Sequence, residues 1–584
     1  MRAPDAELPE PPPQLEPWRR RLVRTLLYGR NVDRAAKAKA RIGLAILIFA
    51  LGYAVIAARL AMFAAAPDAH AGRRAIAHDA VATARPDILD RNGEILATDV
   101  RTPSLFGEPH RIIDVDEAAE LLTAVVPELD APELRERLAS KRRFVWLKRE
   151  ITPKQREQIH RLGLPGIGFL PENKRIYPNG GEVAHVIGHV NVDNQGIAGI
   201  EKWLDGRGLA DLHMAGLATD RLQQPVELAV DLRVQHALRD ELIAARGKFK
   251  AQAVAGLLTD VRSGEIIALV SVPDYDSNNP REALDPTRIN RLTTGVFEMG
   301  STFKALTVAM ALDSGKITLK SAFDARFPLQ YGKHTIHDFH AQNRVLTVPE
   351  IFTYSSNIGT ARMALSLGVE HHKQFLRKLG QLDRLRTELP ESAEPLVPKR
   401  WAELNTVTIA FGHGLSVAPL QAMMAFGALM NGGHLIPPTF LKRSEQDAMA
   451  LAVPVIKPET SDKMRYLMRL NVEKGTATRA DVKGYYVGGK TGTSEKVVGG
   501  RYSKTKALTA FTAVLPADRP RYALLIMLDE PQPTPESHGF ATSGWNAVPV
   551  GGAVIARIAP LLGLAPRFDL PTSDKLILAS ASGR

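Results

Sequence analysis

The sequence predicts an α+β protein with one transmembrane helix, a mixed α/β region after it, and a larger domain in which helices lie beside an antiparallel sheet. Three observations predict this fold class: a long apolar run near the N-terminus, a turn-rich segment, and strands, then helices, then strands in the second half. Segregation of strands and helices along a chain is typical of α+β domains. The chain has 584 residues, 45% apolar and 24% charged, enough for two or three globular domains.

The apolar run from Ile42 to Ala58 contains no charge and spans about 26 Å as a helix, close to the thickness of a bilayer core. Arg59 interrupts it, but an arginine near a helix end can extend to the membrane interface. Ten Lys/Arg against five Asp/Glu in residues 1–41 predict a cytoplasmic N-terminus. We therefore expect a basic cytoplasmic tail at 1–41 and an anchor at 42–64. A buried soluble helix and a signal peptide cleaved near Phe63–Ala66 stay open as alternatives.

The remaining charge and the lack of cysteine exclude several classes of function. The net charge is +12, and residues 1–41 contribute +5 of it, which leaves +7 for the rest of the chain. This is weak evidence for a nucleic-acid partner, and none is predicted. Without cysteine the chain has no disulfide, no thiol nucleophile and no Cys-based metal site.

Beyond the anchor, changes in sequence composition divide the chain into two predicted domains and a tail. Residues 65–230 are rich in turn signals such as Asn92-Gly93 and predict the mixed α/β region. Residues 231–565 predict the larger domain, and residues 566–584 carry no interpretable pattern. In the larger domain we expect a strand pair at Val254–Leu258 and Ile266–Val272 and a buried helix at Thr302–Leu312. A later hairpin is expected at Ala507–Val514 and Arg521–Leu528.

A Ser-x-x-Lys pattern occurs at Ser301 and Lys304, at the start of the predicted buried helix. Residues three apart share one face of a helix, so the lysine amine can reach the serine hydroxyl. A serine becomes a nucleophile when a base takes its proton, and a lysine serves as that base if burial or a nearby cation lowers its pKa. The pattern recurs at Ser503–Lys506, which we interpret as a solvated turn. Only Ser301 follows a glycine and opens an apolar helix.

A Ser-x-Asn pattern occurs at Ser355 and Asn357, directly after Ile351–Tyr354, a predicted helix end. From that position Ser355 can relay a proton and Asn357 can bind a substrate amide. A second copy at Ser277–Asn279 precedes Pro280 and is interpreted as a turn.

The pattern Lys490-Thr491-Gly492-Thr493 follows Tyr485–Val487, which is predicted as a strand. Glycines on both sides of Lys490 allow a ligand to approach the backbone closely. The lysine supplies positive charge, and the threonine hydroxyls can hydrogen-bond a substrate carboxylate. All three patterns in this order, each in suitable local structure, favour a serine acyl-transfer site over coincidence.

Ser-x-x-Lys, Ser-x-Asn and Lys-Thr-Gly together mark the β-lactamases and penicillin-binding proteins. From about Arg85 to Pro549 the chain resembles a class B penicillin-binding protein, and the similar segments include 85–93, 175–178, 199–201, 297–301 and 412–421. It departs from the family at Pro86, Met299 and Ala418, where Gly, Pro and Thr are common, and none of these positions has a catalytic role. The Ser-Ser-Asn sequence is similar to the division (septal) type, whereas the elongation type often carries Asp.

The resemblance implies a β-lactamase-like larger domain, a dimerisation-type periplasmic pedestal at 65–230, and D,D-transpeptidase activity on peptidoglycan through a serine acyl-enzyme. It also implies that Lys490 lowers the pKa of Lys304 and that backbone N–H groups of Ser301 and Thr493 form an oxyanion hole. The implied catalytic and substrate-binding residues are Ser301, Lys304, Ser355, Asn357 and Lys490, and Thr491, Gly492 and Thr493.

The implied partners are the peptidoglycan stem peptide, as lipid-linked precursor or nascent glycan, β-lactam antibiotics, the membrane, a polytopic glycosyltransferase and other division proteins. The implied location is the inner membrane, with a single pass and most of the chain in the periplasm. No cofactor is expected. A side-wall (elongation-type) transpeptidase is the closest alternative function.

Two other chemistries fit short patterns. Residues 484–491 satisfy the phosphate-loop pattern literally, but such a loop must lead into a helix, and residues 492–506 are a poor helix. A nucleotide hydrolase is therefore a much weaker alternative. The group His334, His337, Asp338 and His340 has zinc-like spacing, yet histidines in a surface loop are commoner than a metal site, and no metal is predicted.

Overall fold

The computed structural model describes residues 34–65, 85–208, 224–332, 334–570 and 572–573. They belong to two compact units, one within Met1–Ala82 and the other within Thr83–Arg584. Parts of the predicted segments lie outside the described residues: 1–33 of the basic tail, 66–84 and 209–223 of the pedestal, and 574–584 of the C-terminal tail. The predicted domain boundaries stay predictions.

The described residues of the first unit form one helix, α1 (Arg34–Ala65). Its stretch Ile42–Arg59 has a mean hydropathy of 2.2 and is long and apolar enough to cross a membrane. Large apolar side chains such as Phe49 and Tyr53 are exposed around it. A helix that is apolar on all sides needs an apolar environment, which a bilayer supplies.

The second unit begins with a small mixed α/β region. Its strands are β1 (Ile88–Leu89), β2 (Ile95–Gly107), β3 (Val145–Lys148), β4 (Ile167–Ile176), β5 (His189–Val190) and β6 (Gly196–Ala198). Its helices are α2 (Val115–Val125), α3 (Ala131–Leu138), α4 (Pro153–Leu162), α5 (Ala184–Ile187) and α6 (Gly199–Trp203). Asp114, Asp130 and Thr152 cap α2, α3 and α4, because each side chain accepts a hydrogen bond from the backbone N–H three residues ahead.

A buried ion-pair cluster joins three segments of this region that are far apart in sequence. Glu201 accepts hydrogen bonds from Arg175 Nε at 2.6 Å and from Arg85 Nε at 2.8 Å. Arg175 also pairs with Asp99 at 3.1 Å. A buried carboxylate is tolerated only when it is paired, so these arginines hold the segments at 85–93, 175–178 and 199–201 together.

The larger part of the unit surrounds a five-stranded antiparallel sheet. Strand β7 (Val226–Glu227) pairs in parallel with β1 and so belongs to the sheet of the smaller region. The strands of the larger part are β8 (Ala253–Asp260), β9 (Ile266–Val272), β10 (Ala322–Asp324), β11 (Leu329–Tyr331), β12 (His334–Ile336), β13 (Val345–Thr347), β14 (His434–Leu435), β15 (Val453–Pro454), β16 (Gly488–Val498), β17 (Arg501–Leu515) and β18 (Tyr522–Asp529). Its helices are α7 (Leu232–Lys248), α8 (Lys304–Asp313), α9 (Val348–Thr353), α10 (Asn357–Leu367), α11 (Val369–Lys378), α12 (Glu403–Ile409), α13 (Pro419–Met430), α14 (Glu445–Leu451), α15 (Pro458–Lys474) and α16 (Ala547–Leu561).

The sheet has the order β16-β17-β18-β8-β9, and its strands β18, β8 and β9 are buried on both faces. Successive residues of a strand point to opposite faces, and β18 divides accordingly. Leu524 and Ile526 pack in one apolar cluster with α7 and α16, while Leu525 and Met527 pack in another with α8, α13 and α15. The predicted α+β class is therefore confirmed, with helices on each side of an antiparallel sheet.

Most predicted elements of the larger domain are present, and two local predictions are wrong. Ser503–Lys506 is part of strand β17, not a turn, because the residues on both sides of it pair with β16, Tyr502 with Val497 and Ala507 with Glu495. Tyr485–Val487 is not a strand, because Tyr486 has φ 47°, which interrupts an extended chain. The strand begins at Gly488 and includes the Lys-Thr-Gly pattern itself.

Candidate active site

Ser301 lies in a 3₁₀ turn, Gly300–Phe303, that leads directly into α8. The serine is partly exposed, whereas Thr302 and Phe303 beside it are buried. Gly300 has φ 53°, and a Cβ at this position would lie 2.8 Å from Thr493 O. Glycine is therefore required for the turn to pack directly against strand β16.

Lys304 is the first residue of α8 and is 1% exposed. Its Nζ donates hydrogen bonds to the backbone oxygen of Ser355 and, at 3.1 Å, to Ser355 Oγ. Burial lowers the pKa of Lys304 to about 7, although the negative charge of Asp338 acts in the opposite direction. The amine is thus poised to exchange a proton near neutral pH.

Ser355 connects α9 to α10 and has φ 57°, which is uncommon for a residue other than glycine. Its Oγ accepts hydrogen bonds from Lys304 Nζ at 3.1 Å and from Lys490 Nζ at 3.0 Å. One hydroxyl therefore bridges two buried lysines that come from different elements. A strained backbone conformation at such a point is common in functional sites.

Lys490 lies in β16 with a fully buried side chain. Its Nζ also donates to Thr491 O at 3.2 Å. Burial and then the charge of Lys304 hold the pKa of Lys490 well below its usual value. For Lys304 the cause of the lowered pKa is burial, not the charge of Lys490 that the sequence suggested. Two amines that share one hydroxyl titrate as a coupled pair.

The two threonines and the glycine after Lys490 hold β16 against its surroundings. Thr491 Oγ1 is 2.7 Å from Thr476 Oγ1, and Thr493 Oγ1 accepts a hydrogen bond from Ser543 N at 3.1 Å. A Cβ on Gly492 would lie 2.7 Å from the backbone oxygen of Met299. Only a glycine lets the strand pass this close to the segment that precedes Ser301.

Asn357 is the first residue of α10, and its Nδ2 donates to His337 O at 2.9 Å. The structure thus brings the predicted residues of all three patterns into one site, since Ser355 joins Lys304 to Lys490 and Gly300 abuts Thr493. In the described chain the hydrogen bonds of Lys304 Nζ go to Ser355, and none goes to Ser301.

Asp338, which the sequence offered only as a member of the zinc-like group, lies beside the candidate site. Its carboxylate accepts hydrogen bonds from Ser356 Oγ at 2.6 Å and from the N–H of Ile358 at 2.9 Å. It therefore fixes the start of α10, next to Ser355. A carboxylate interacts favourably with a helix N-terminus. The sequence does not show, however, that the loop with Asp338 reaches the start of α10, because Asp338 precedes Ser356 by 18 residues.

The two competing chemistries find no support in this geometry. Lys490 lies within an extended strand that continues to Val498, so the literal phosphate-loop pattern does not lead into a helix. The nucleotide-hydrolase alternative is therefore wrong. Within the described residues, no group of three or more His, Asp or Glu side chains is arranged to hold a metal ion.

Comparisons with known proteins identify the family of the chain. The family model described as penicillin binding protein transpeptidase domain matches residues 254–547, and the model of the penicillin-binding protein dimerisation domain matches residues 80–205. The chain is 40% identical to a probable peptidoglycan D,D-transpeptidase FtsI of Caulobacter vibrioides, over 84% of this chain and 83% of that protein. It is 31% identical to the peptidoglycan D,D-transpeptidase FtsI of Escherichia coli, over 85% and 86% of the two chains.

Among solved structures, penicillin binding protein 3 from Mycobacterium tuberculosis, complexed with aztreonam, has a TM-score of 0.63 at 21% identity. The match covers 84% of this chain and 98% of that one. A peptidoglycan synthetase from Bifidobacterium adolescentis has a TM-score of 0.64 at 23% identity, with coverage of 84% and 97%. At this level of identity the likeness concerns the fold alone.

Proposed function

The chain belongs to the class B penicillin-binding proteins, and from this premise we propose that Ser301 is the nucleophile with which it cross-links peptidoglycan. It is a serine-type peptidoglycan D,D-transpeptidase of the septal, cell-division type, and its relatives do not favour the side-wall alternative. One observation supports the assignment of residues above all: the Ser355 hydroxyl joins the buried amines of Lys304 and Lys490 beside the turn that holds Ser301.

In the first half-reaction, Ser301 Oγ attacks the carbonyl carbon of the penultimate D-Ala of a stem peptide, and its proton passes to neutral Lys304. Backbone N–H groups of Ser301 and Thr493 stabilise the oxyanion, at about 3–4 kcal/mol for each donor. A Cβ on Gly300 would lie 3.2 Å from Thr493 N, which puts that N–H next to the turn. The C–N bond then breaks, Ser355 passes the proton to the departing D-Ala amine, and an ester remains on Ser301.

Lys490, with Thr491, Gly492 and Thr493, binds the terminal carboxylate of the stem peptide. The low pKa of Lys490 in the free enzyme results from burial and from the charge of Lys304. An arriving carboxylate is an opposite charge, so it raises that pKa and favours the charged form of Lys490. Asn357 binds an amide of the same peptide, next to the reacting bond.

In the second half-reaction, the amine of another stem peptide attacks the ester carbonyl. The new amide bond is the cross-link, the ester C–O bond breaks, and the amine proton returns through Ser355 and Lys304 to Ser301 Oγ. A β-lactam enters the first half-reaction only, because the opened ring stays attached and no leaving group departs.

Helix α1 is the anchor in the inner membrane. The basic N-terminal tail lies in the cytoplasm, and the rest of the chain lies in the periplasm. The excess of Lys and Arg before the apolar stretch supports this orientation. The enzyme works with a polytopic glycosyltransferase and other division proteins, because the nascent glycan that it cross-links must be supplied at the same membrane.

Covalent labelling with a fluorescent penicillin tests the role of Ser301. The full-length protein in detergent should become labelled, and Ser301→Ala should not. The chain provides a matched control in Ser503→Ala, which removes the serine of the second Ser-x-x-Lys pattern and should label like the wild type. Labelling of Ser301→Ala at the wild-type rate, or its loss in Ser503→Ala alone, contradicts the assignment.

A further inference from the structure

Strand β16, which carries Lys490 to Thr493, is an edge strand of the five-stranded sheet. In the part of the chain that the structure describes, its only sheet neighbour is β17. An edge strand receives ladder hydrogen bonds on one side only and is less constrained than a central strand. Catalysis depends on positioning within fractions of an ångström, so the free side of β16 needs other support.

Support reaches the beginning of β16 from helix α15. Asn471 Nδ2 donates to Gly489 O at 2.8 Å, directly before Lys490. Arg469 Nη1 donates to Val487 O at 2.9 Å, and the guanidinium lies 4.6 Å from the centre of the Tyr486 ring. The chain immediately before the strand is thus held by two side chains of one helix.

The C-terminal segment Pro566–Ser573, of which residue 571 lies outside the described residues, begins beside the turn at Gly484–Val487 that precedes β16. The N–H of Arg567 donates to Gly484 O at 2.8 Å. A Cβ on Gly484, which has φ 90°, would lie 2.8 Å from Pro566. The Arg567 guanidinium also pairs with Asp518 at 2.7 Å, on the turn between β17 and β18.

The end of the segment reaches α15 itself. Ser573 is fully buried, and its Oγ donates to Glu473 Oε2 at 2.6 Å. Glu473 in turn accepts from Arg469 Nε at 2.9 Å, and Arg469 donates to Val487 O. A continuous set of hydrogen bonds therefore runs from Ser573 to the residue before β16.

We propose that Pro566–Ser573 is a positioning segment for catalysis: it holds the turn at Gly484–Val487 and thereby sets the place of Lys490 and Thr493 relative to Ser301. The inference rests on the proposed role of Ser301. The segment touches neither substrate nor nucleophile and acts only through β16. Two residues of the segment hold the turn in place. Arg567 contacts it directly, and Ser573 acts through Glu473 and Arg469.

A truncation that removes residues 566–584 tests the proposal in the full-length, detergent-solubilised protein. A matched control removes residues 576–584 and keeps every contact described above. The second-order rate constant for acylation by a fluorescent penicillin is measured well below the melting temperature of each variant. The longer truncation should acylate about tenfold to hundredfold more slowly, and the control should match the wild type.

The pH dependence of acylation separates positioning from plain stabilisation. If β16 shifts, Lys304 is less completely buried, its pKa rises, and the rise of the rate with pH moves to higher pH. A folded truncation that acylates at the wild-type rate, or more slowly with an unchanged pH profile, overturns the proposal. If the truncated protein does not fold, the acylation rate and its pH profile are measured for Ser573→Ala instead, and the same outcomes support or overturn the proposal. Failure of the wild type itself to label would contradict the role of Ser301, not that of the segment.

Discussion

The rate at which Ser301 is acylated should depend on pH through Lys304. Only the neutral amine can take the serine proton, and the pKa of Lys304 is about 7. An ordinary lysine with a pKa near 10.4 is neutral in only about 0.04% of molecules at pH 7, whereas Lys304 is neutral in about half. Burial therefore raises the neutral fraction of Lys304 at pH 7 roughly a thousandfold above that of an ordinary lysine. This corresponds to a destabilisation of the charged amine by about 4–5 kcal/mol.

The direction of proton transfer determines whether the acylation rate rises or falls with pH. Below the pKa, the neutral fraction rises with pH, so the acylation rate constant should increase about tenfold for each pH unit from pH 5. Above about pH 8, nearly all Lys304 is neutral, and the rate should reach a plateau. The pH profile should therefore bend near pH 7.

Stopped-flow fluorescence with a fluorescent penicillin, from pH 5 to pH 9.5 at constant ionic strength, measures this profile. Lys304→Arg, which keeps a positive charge but cannot act as a base, should be nearly inactive at every pH. The matched control Lys506→Met changes the lysine of the second Ser-x-x-Lys pattern and should leave the bend in place. A flat profile, or a rate that still rises tenfold per unit above pH 9, refutes Lys304 as a base of lowered pKa.

Three further substitutions have defined outcomes. Asp338→Asn removes the charge that raises the pKa of Lys304, so the bend in the pH profile should move to lower pH; an upward shift contradicts this. Ser355→Ala removes the hydroxyl shared by Lys304 and Lys490, so acylation should fall about 10²–10⁴-fold in the labelling assay; a fall below threefold contradicts its role as a relay. Gly492→Ala places a Cβ 2.7 Å from Met299 O and should abolish rapid acylation, whereas Gly247→Ala, with open space around the new Cβ, should melt no lower than the wild type and label normally.

The sequence predicts which residues form the candidate site because each pattern is local. Ser301 and Lys304 lie one helical turn apart, and Lys490 to Thr493 lie within one strand, so residue spacing alone determines which side chains can cooperate. The pattern alone does not distinguish the two copies of Ser-x-x-Lys, and the sequence favours Ser301 because it follows a glycine and opens an apolar helix. The second copy at Ser503–Lys506 is set apart by its place in β17, which depends on strand pairing and not on its own composition.

Features that depend on contacts between distant segments were not predicted. Asp338 reaches the start of α10 from a loop 18 residues upstream of Ser356, and its importance is visible only once the loop is folded over the helix. The ion pair between Arg85 and Glu201 likewise joins segments 116 residues apart. The C-terminal segment has no periodic pattern because backbone groups and single side chains, not an apolar face, hold it in place.

Mass spectrometry of the acyl-enzyme tests most directly that Ser301 is the nucleophile. The wild-type protein is incubated with a penicillin or with a D-Ala-D-Ala peptide ester, quenched in acid, digested and mapped. The peptide that contains Ser301 should gain the mass of the acyl group, and the peptide that contains Ser503 should not. An acyl group found on any other residue, or an adduct that persists in Ser301→Ala, would contradict the assignment.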